Sequence, residues 1–415
     1  MSTAAVSCSR ARSLYQEGFN SFLQTDVQEH LAQIFAESDL HRLCSLLSKP
    51  PLFTVLRVNT TYFSREIAKE KLIQVLATTQ LHREEKQWEV FEHPLLDDVL
   101  WIPFDKQQSV LELPKKVVVD LRCGESVLRG ADVYAPGVLA APTDLQSSDK
   151  VSVYTDASQN CRRGNTQMPA ENAVFVGNGC ALMSRRDLFS DQSKNSGVAV
   201  VMTCPVFPAP SLSGVLPDTL FLQNLPSVVV THVLAPQCGD CILDMCASPG
   251  GKTTHIAARM RNEGTVIALD KTQPKIDKIH LNLTRLQLSC VQLYKYDGRN
   301  AFDINSKAQP RQCDGPPYGP SSFDRILVDA PCSGLGQRPQ LMSRLSLGDL
   351  QSFPNLQKAL LTTAFHLLKP SGVLVYCTCT LTPEENEQQV AWLLRKFPEL
   401  TLVKQLKAVS CRSHT

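Results

Sequence analysis

Two cysteines sit in short motifs that each follow an apolar, strand-like run: Asp329-Ala330-Pro331-Cys332-Ser333-Gly334 and Thr378-Cys379-Thr380. Upstream of both stands a glycine-rich segment, Asp244-Met245-Cys246-Ala247-Ser248-Pro249-Gly250-Gly251-Lys252-Thr253. A thiolate is a strong nucleophile, and two thiols beside a ligand-binding turn suit methyl transfer to a carbon that must first be activated. Carbon-5 of cytosine is such a carbon. A thiolate adds to carbon-6, carbon-5 then takes the methyl group, and a base removes the carbon-5 proton so that the sulfur can leave.

The glycine-rich segment reads as a strand over Cys241–Cys246, a turn, and a helix opening at Gly251, which makes a cleft at the carboxyl end of a parallel sheet. Gly250 and Gly251 let the backbone approach a ligand, and the first N–H groups of the helix suit a carboxylate. Twenty positions after Gly250, Asp270 ends a strand and is placed for the two hydroxyls of a ribose. Asp297, at the end of the next strand, faces the adenine side. The expected cofactor is S-adenosylmethionine. A phosphate-binding loop needs glycine where Cys246 stands, and the dinucleotide fingerprint is missing.

Enzymes that methylate an exocyclic nitrogen carry Asn or Asp followed by Pro-Pro-Tyr at the position of Asp329. Cysteine in place of the aromatic disfavours that chemistry. Thr382, Pro383 and Glu385 read as N-cap, first helical residue and capping-box partner of a helix that fixes the Cys379 loop. Cys377 alternates to the other face of its strand and reads as a small buried hydrophobe, as do most of the fifteen cysteines. Cys238-x-x-Cys241 has no second pair at ligand spacing, so no metal is expected.

These motifs need elements to position them, and 415 residues suffice for two or three domains. Residues 1–112 open with helical spacing (Phe19, Phe22, Leu23, Val27, Leu31, Ile34, Phe35). A strand over Phe53–Asn59 and a helix over Ser64–Ala77 complete a small α/β lobe. Residues 113–205 read as short strands punctuated by glycine and proline. After Pro205 strands and helices alternate to residue 415, implying a parallel sheet covered by helices. Gln309–Ser322 reads as a surface loop. No apolar run reaches the ~20 residues of a membrane span, no signal peptide is evident, and unpatterned cysteines point to the cytosol. The net charge of +2 does not select a partner class, although the basic excess lies after Pro205. A monomer is expected.

Together the motifs resemble the Sun-domain (Fmu/RsmB-like) family of RNA cytosine-5 methyltransferases, over residues 205–400. The resemblance implies a Rossmann-like α/β methyltransferase sheet, preceded by an RNA-recognition-like lobe to which Arg57-Val58-Asn59 belongs. It makes Cys379 the nucleophile and has Cys332 assist product release. It places Cys246, Ala247, Ser248, Pro249, Gly250, Gly251, Lys252, Asp270, Asp297 and Asp329 around S-adenosylmethionine. Asp329 also meets the cytosine edge, and Lys252 borders the catalytic pocket. DNA cytosine methyltransferases attack from the earlier cysteine motif, so the later one argues for RNA. Leu128–Val138, Val151–Tyr154 and Gly177-Asn178-Gly179 resemble a PUA domain, which in this family implies binding of the tRNA acceptor end, including the 3′ terminus. Arg129, Tyr134, Arg162, Arg163 and Asn178 are the RNA contacts this implies.

Two departures stand out. Ser248 replaces the family's usual alanine, and the chain ends without the final strand pair bearing a Gly-Phe-Phe-like segment. The expectation is an exposed sheet edge beside the strand leading to Cys379, with marginal folding and weak activity. A non-catalytic tRNA-binding protein acting through the PUA-like module therefore stays open.

Overall fold

A computed structural model describes residues 23–79, 88–169, 173–190 and 196–404. Phe19 and Phe22 lie outside them. The helical spacing that follows is realised in α1 (Thr25–Ala32) and α2 (Glu37–Leu47). Val27, Leu31 and Cys44 are buried against Leu335 and Leu350, far along the chain.

The first lobe is a four-stranded sheet built on β1 (Phe53–Val58) and covered by α3 (Arg65–Thr79). Next to β1 runs β3 (Val99–Pro103), with β2 (Phe91–Glu92) outside it; the other neighbour of β1 is β10 (Leu220–Leu222). β10 pairs antiparallel with β1 through Leu56–Leu222, Arg57–Phe221 and Val58–Leu220. The strands of the middle module lie between Lys116 and Pro205, whereas Leu220–Leu222, beyond them in sequence, belongs to the first sheet. The chain leaves the first lobe, builds the middle module, and returns to finish the first sheet before entering the third unit.

The middle module is a six-stranded sheet in the order β5 (Val133–Tyr134), β9 (Val198–Pro205), β8 (Ala173–Ala181), β7 (Lys150–Asp156), β4 (Lys116–Val119), β6 (Val138–Ala140). Only the β4–β7 pair among these is parallel. Helix α4 (Leu121–Leu128), capped by Asp120 accepting from the Cys123 amide, and the short α5 (Arg185–Phe189) complete it. Valines of β4 and β7 supply its core with Val176, Met202 and Phe207.

The third unit is a parallel five-stranded sheet, β13-β12-β11-β14-β15, entered through helix α6 (Leu225–Leu234). β11 (Cys241–Asp244) and β12 (Thr265–Asp270) are buried along their whole length because helices cover both faces. Those helices include α7 (Gly251–Arg259) and α8 (Gln273–Arg285). β13 (Val291–Lys295) lies at one edge and is only half-buried. β14 (Phe323–Asp329) packs Ile326 and Val328 against Leu360, Leu361 and Ala364 of α9 (Leu347–Leu367). A capping box of Ser346 and Asp349 starts α9. β15 (Leu368–Cys377) is the other edge among the described residues, and α10 (Glu387–Lys396) follows it. No helix among the described residues is long and apolar enough to cross a membrane.

The expected capping box at the Cys379 loop is corrected. Pro383–Glu385 is a single 3-10 turn, Thr382 makes no side-chain cap, and α10 begins only at Glu387. The Glu385 side chain instead points into the two cysteine loops.

Candidate active site

β14 and β15 run in parallel with Asp329 opposite Cys377, so the loops that leave them start level. Three residues past Asp329 stands Cys332; two past Cys377 stands Cys379. Their Sγ atoms are 3.3 Å apart. The Cys379 amide donates to the Cys332 sulfur (3.3 Å), and Gln337 Nε2 donates to the Cys379 sulfur (3.3 Å). The Cys332 hydrogen bond pulls the Cys379 thiol down to about 6; burial opposes it and Gln337 adds to it. Cys332 moves the other way, well above the ordinary thiol range, because it holds the shared proton and is partly desolvated. At neutral pH the pair is a Cys379 thiolate beside a Cys332 thiol.

Below the pair, Lys252 Nζ meets Asp329 Oδ2 at 2.7 Å, and Cys377 Sγ donates to Asp329 Oδ1 at 3.2 Å. Burial works against the Lys252 ammonium, but Asp329 and its neighbours outweigh it and hold the lysine charged. Cys377, expected to be merely a buried hydrophobe, is a direct partner of Asp329. Burial raises its pKa far above the usual value, so it stays a thiol.

The glycine-rich turn connects β11 to α7. Gly250 is the N-cap of α7 at φ +97°, and a Cβ there would meet Ile279, its Cα at 3.3 Å included. Asp270 receives the Ser248 amide (3.1 Å) and the Lys271 amide (2.7 Å), and Lys275 lies 3.1 Å away. Ala247 and Cys246 line the same turn, and burial raises Cys246 far above a reactive thiol. Pro249 offers its carbonyl to Asn282 (2.9 Å). Asp297 lies two residues past the end of β13, where it caps a short turn and pairs with Arg299 (2.6 Å) and Lys271 (3.2 Å). Arg299 is the main reason its carboxyl is held at about 2. A helix start with an open backbone, carboxylates at two adjacent strand ends, and a lysine–aspartate pair next to the thiols fit an amino-acid-bearing nucleoside such as S-adenosylmethionine.

The motif Arg57-Val58-Asn59 holds the first lobe against α7. Arg57 is fully buried, donating to Gln223 Oε1 and to Thr254 Oγ1, each at 2.9 Å. Burial lowers it to about 9, which leaves it protonated at neutral pH. Nearby, Asp98 accepts from His232 (2.8 Å) and His255 (2.6 Å). This is the one trio of clustered ligand-type side chains among the described residues, and the Nε2 atom of each histidine is committed to the carboxylate. Cys238 faces the Met260 carbonyl and Cys241 is in the core, so the Cys238-x-x-Cys241 pair forms no such cluster.

The residues expected to touch RNA divide. Arg129, Tyr134 and Arg162 are exposed on the middle module. Arg163 instead donates to the carbonyls of Ala135, Pro136, Val138 and Leu188, which fixes its guanidinium as a loop strut. Asn178 is buried, accepting from Ser152 and donating to the Leu111 carbonyl, both at 2.7 Å. Arg163 remains exposed while making these bonds, and Asn178 is enclosed within the module.

Sequence reasoning missed Gln337, the Glu385 contacts and the Asp98 cluster. Gln337 lies on the segment after Cys332 that also joins the other units. Leu341 N donates to Glu125 of the middle module, and Arg338 donates to the carbonyls of Lys49 and Pro50. Its proximity in sequence to Cys332 was the one available signal.

Residues 231–412 match the family described as 16S rRNA methyltransferase RsmB/F. The chain is 44% identical over 391 residues to the tRNA (cytosine(72)-C(5))-methyltransferase NSUN6 of Homo sapiens, covering 92% of this chain and 81% of the relative. It is 33% identical over 382 residues to the tRNA (cytosine(72)-C(5))-methyltransferase of Pyrococcus horikoshii, covering 90% and 87%. The crystal structure of NSun6 from Pyrococcus horikoshii with SFG, a cofactor analogue, superposes with a TM-score of 0.73 at 31% identity. That likeness covers 91% of this chain and 88% of the other.

Proposed function

The chain belongs to the Sun-domain (RsmB/F) family of S-adenosylmethionine-dependent RNA cytosine-5 methyltransferases, and from that premise we propose that it methylates tRNA near the acceptor end through a covalent adduct of Cys379. Similarity to relatives named for cytosine 72 of tRNA supports the substrate. The observation that carries the mechanism is the thiol pair: two sulfurs 3.3 Å apart, with Gln337 donating to Cys379 and the contact with Cys332 lowering the Cys379 thiol to about 6.

In this reading the Cys379 thiolate forms a bond to carbon-6 of the base, and the electron pair moves onto carbon-5. S-adenosylmethionine, when bound, supplies the methyl group that carbon-5 takes. Asp329, oriented by Lys252 and Cys377, holds the amino edge of the cytosine. Loss of the carbon-5 proton to a base re-forms the double bond and expels Cys379 as thiolate, with Cys332 assisting that release. Cys246 to Gly251 cradle the cofactor, Asp270 takes its ribose, and Asp297 lies on its adenine side. The first lobe serves as an RNA-recognition-like support. The middle module acts as a PUA domain that presents Arg129, Tyr134 and Arg162 to the acceptor end and its 3′ terminus.

The test is transfer of labelled methyl from S-adenosylmethionine to unmodified tRNA transcripts and to acceptor-stem minihelices. Transfer to both, lost in Cys379→Ala, is expected, and Cys332→Ala should accumulate a denaturation-resistant RNA–protein adduct. Absence of transfer and adduct with tRNA still bound would replace this reading by that of a tRNA-binding protein.

A further inference from the structure

We propose that Glu385 is a positioning residue that locks the two cysteine loops to each other and so sets the Cys332–Cys379 contact; this rests on the reading of the two thiols given above. Glu385 is completely buried. A carboxylate is costly to bury, and it persists only where its oxygens are well supplied with donors. Here Oε1 accepts from Ser333 Oγ (2.6 Å) and Thr382 Oγ1 (2.8 Å), and Oε2 accepts from Ser333 N (3.0 Å) and Gln357 Nε2 (3.0 Å).

Those donors flank the thiols. Ser333 follows Cys332 directly, and Ser333 Oγ also meets Thr380 Oγ1, beside Cys379, at 2.5 Å. Gln357 reaches past Glu385 to the carbonyl of Pro331, which precedes Cys332 (3.1 Å). The Cys332 loop is therefore held on both sides of its thiol by one carboxylate and its partner amide. Glu385 is itself anchored, since Tyr376 of β15 donates to its backbone carbonyl (2.6 Å). A simple helix-capping role does not account for this arrangement. In a capping box the side chain would reach back to the Thr382 amide, whereas here Thr382 donates its hydroxyl to Glu385.

The test compares Glu385→Leu with Glu385→Gln. Glutamine keeps the network, because its amide oxygen serves Ser333 N and Gln357 while its NH2 group donates to two hydroxyls that accept as readily as they donate. Leucine removes every acceptor. Two measurements are made on each: steady-state methyl transfer over a range of tRNA concentrations, and the pH dependence of Cys379 alkylation followed by peptide mass spectrometry without RNA. For Glu385→Leu we expect S-adenosylmethionine still bound and kcat lowered on the order of a hundredfold. KM for tRNA should change by less than about threefold. The alkylation midpoint should move alkaline by about one unit. Glu385→Gln should restore most of both. Should Glu385→Leu fail to fold, Ser333→Ala, which cuts the link between the loops and leaves Glu385 in place, should shift the midpoint in the same direction. An unchanged midpoint in folded Glu385→Leu or Ser333→Ala overturns the proposal, as does Glu385→Gln as impaired as Glu385→Leu. A wild-type chain without transfer would sink the catalytic reading alone, because the alkylation midpoints still decide this one.

Discussion

The sulfurs of Cys332 and Cys379 touch at 3.3 Å although 47 residues separate them in sequence, and Gln337 donates to Cys379 only. The contact with Cys332 lowers the Cys379 thiol most, and Gln337 adds to it. Cys332 is raised and Cys379 lowered, so Cys379 is the thiol held as a thiolate at neutral pH. Alkylation of Cys379 by iodoacetamide should rise with pH through a midpoint near 6 and be nearly complete at pH 7.5. In Cys332→Ala the largest stabilising hydrogen bond is gone, and the midpoint should climb toward the ordinary thiol value of 9. A midpoint that stays where it was would show that Cys332 does not tune its neighbour.

Gln337 offers a second, independent handle on the same charge. A hydrogen bond to an ionised group contributes about 1.5–3 kcal/mol, equivalent to roughly one to two pKa units. Gln337→Leu should therefore raise the Cys379 midpoint and reduce turnover by roughly two- to tenfold at pH 7, with most of the loss recovered at pH 9. Gln337→Glu should be worse, since a carboxylate against a thiolate disfavours the charged form. If the leucine variant showed the same deficit at both pH values, Gln337 would matter for packing and not for the charge on sulfur.

The catalytic sheet was legible in the sequence because β11, β12 and β14 are covered on both faces and must read as continuous apolar runs. Gly250 and Asp270 were legible for a related reason: a close backbone approach and a strand-end carboxylate leave residue-type signatures. Glu385 was misread because Thr-Pro-x-Glu satisfies the capping pattern whether or not the side chain turns back to the helix. The carbonyl bonds of Arg163 and Asn178 were not legible, because an arginine or asparagine bound to backbone carbonyls is indistinguishable in sequence from one facing a phosphate. β10 was missed because three residues carry no periodicity, and its partner strand lies beyond an entire inserted module. Asp98 and His255 are 157 residues apart, and no local pattern links them.

Gly250 shows how narrow the tolerance of the glycine-rich turn is. Its φ of +97° lies in the left-handed region, and an added Cβ would fall 3.1 Å from Ile279 Cγ2 and 3.3 Å from its Cα. Backbone strain of this kind costs roughly 1–3 kcal/mol, and α8, which carries Ile279, would have to shift. Gly250→Ala should lower the thermal midpoint and weaken S-adenosylmethionine binding at least tenfold, by about 1.4 kcal/mol or more, as measured by calorimetry. Wild-type affinity in that variant would mean that the turn does not approach the cofactor.

The contact between the first lobe and α7 makes the fold acid-sensitive, with a sign that the geometry sets. Burial pushes His255 down to about 3 from an ordinary 6.5, so the folded chain holds it neutral while the unfolded chain takes up a proton as pH falls below 6.5. The unfolded state then binds more protons, and stability falls as pH drops from about 6.5 toward 3, by up to about 1.4 kcal/mol per unit. Asp98 titrates below that window. Burial raises its pKa, but the hydrogen bonds from His232 and His255 outweigh it, and its contribution is lost only once pH falls below the ordinary carboxylate value. His255→Gln, whose amide can still donate to Asp98, should be less stable at pH 7 yet lose less between pH 7 and pH 5 than the wild type. Identical pH slopes for the two proteins would show that His255 does not carry the titration.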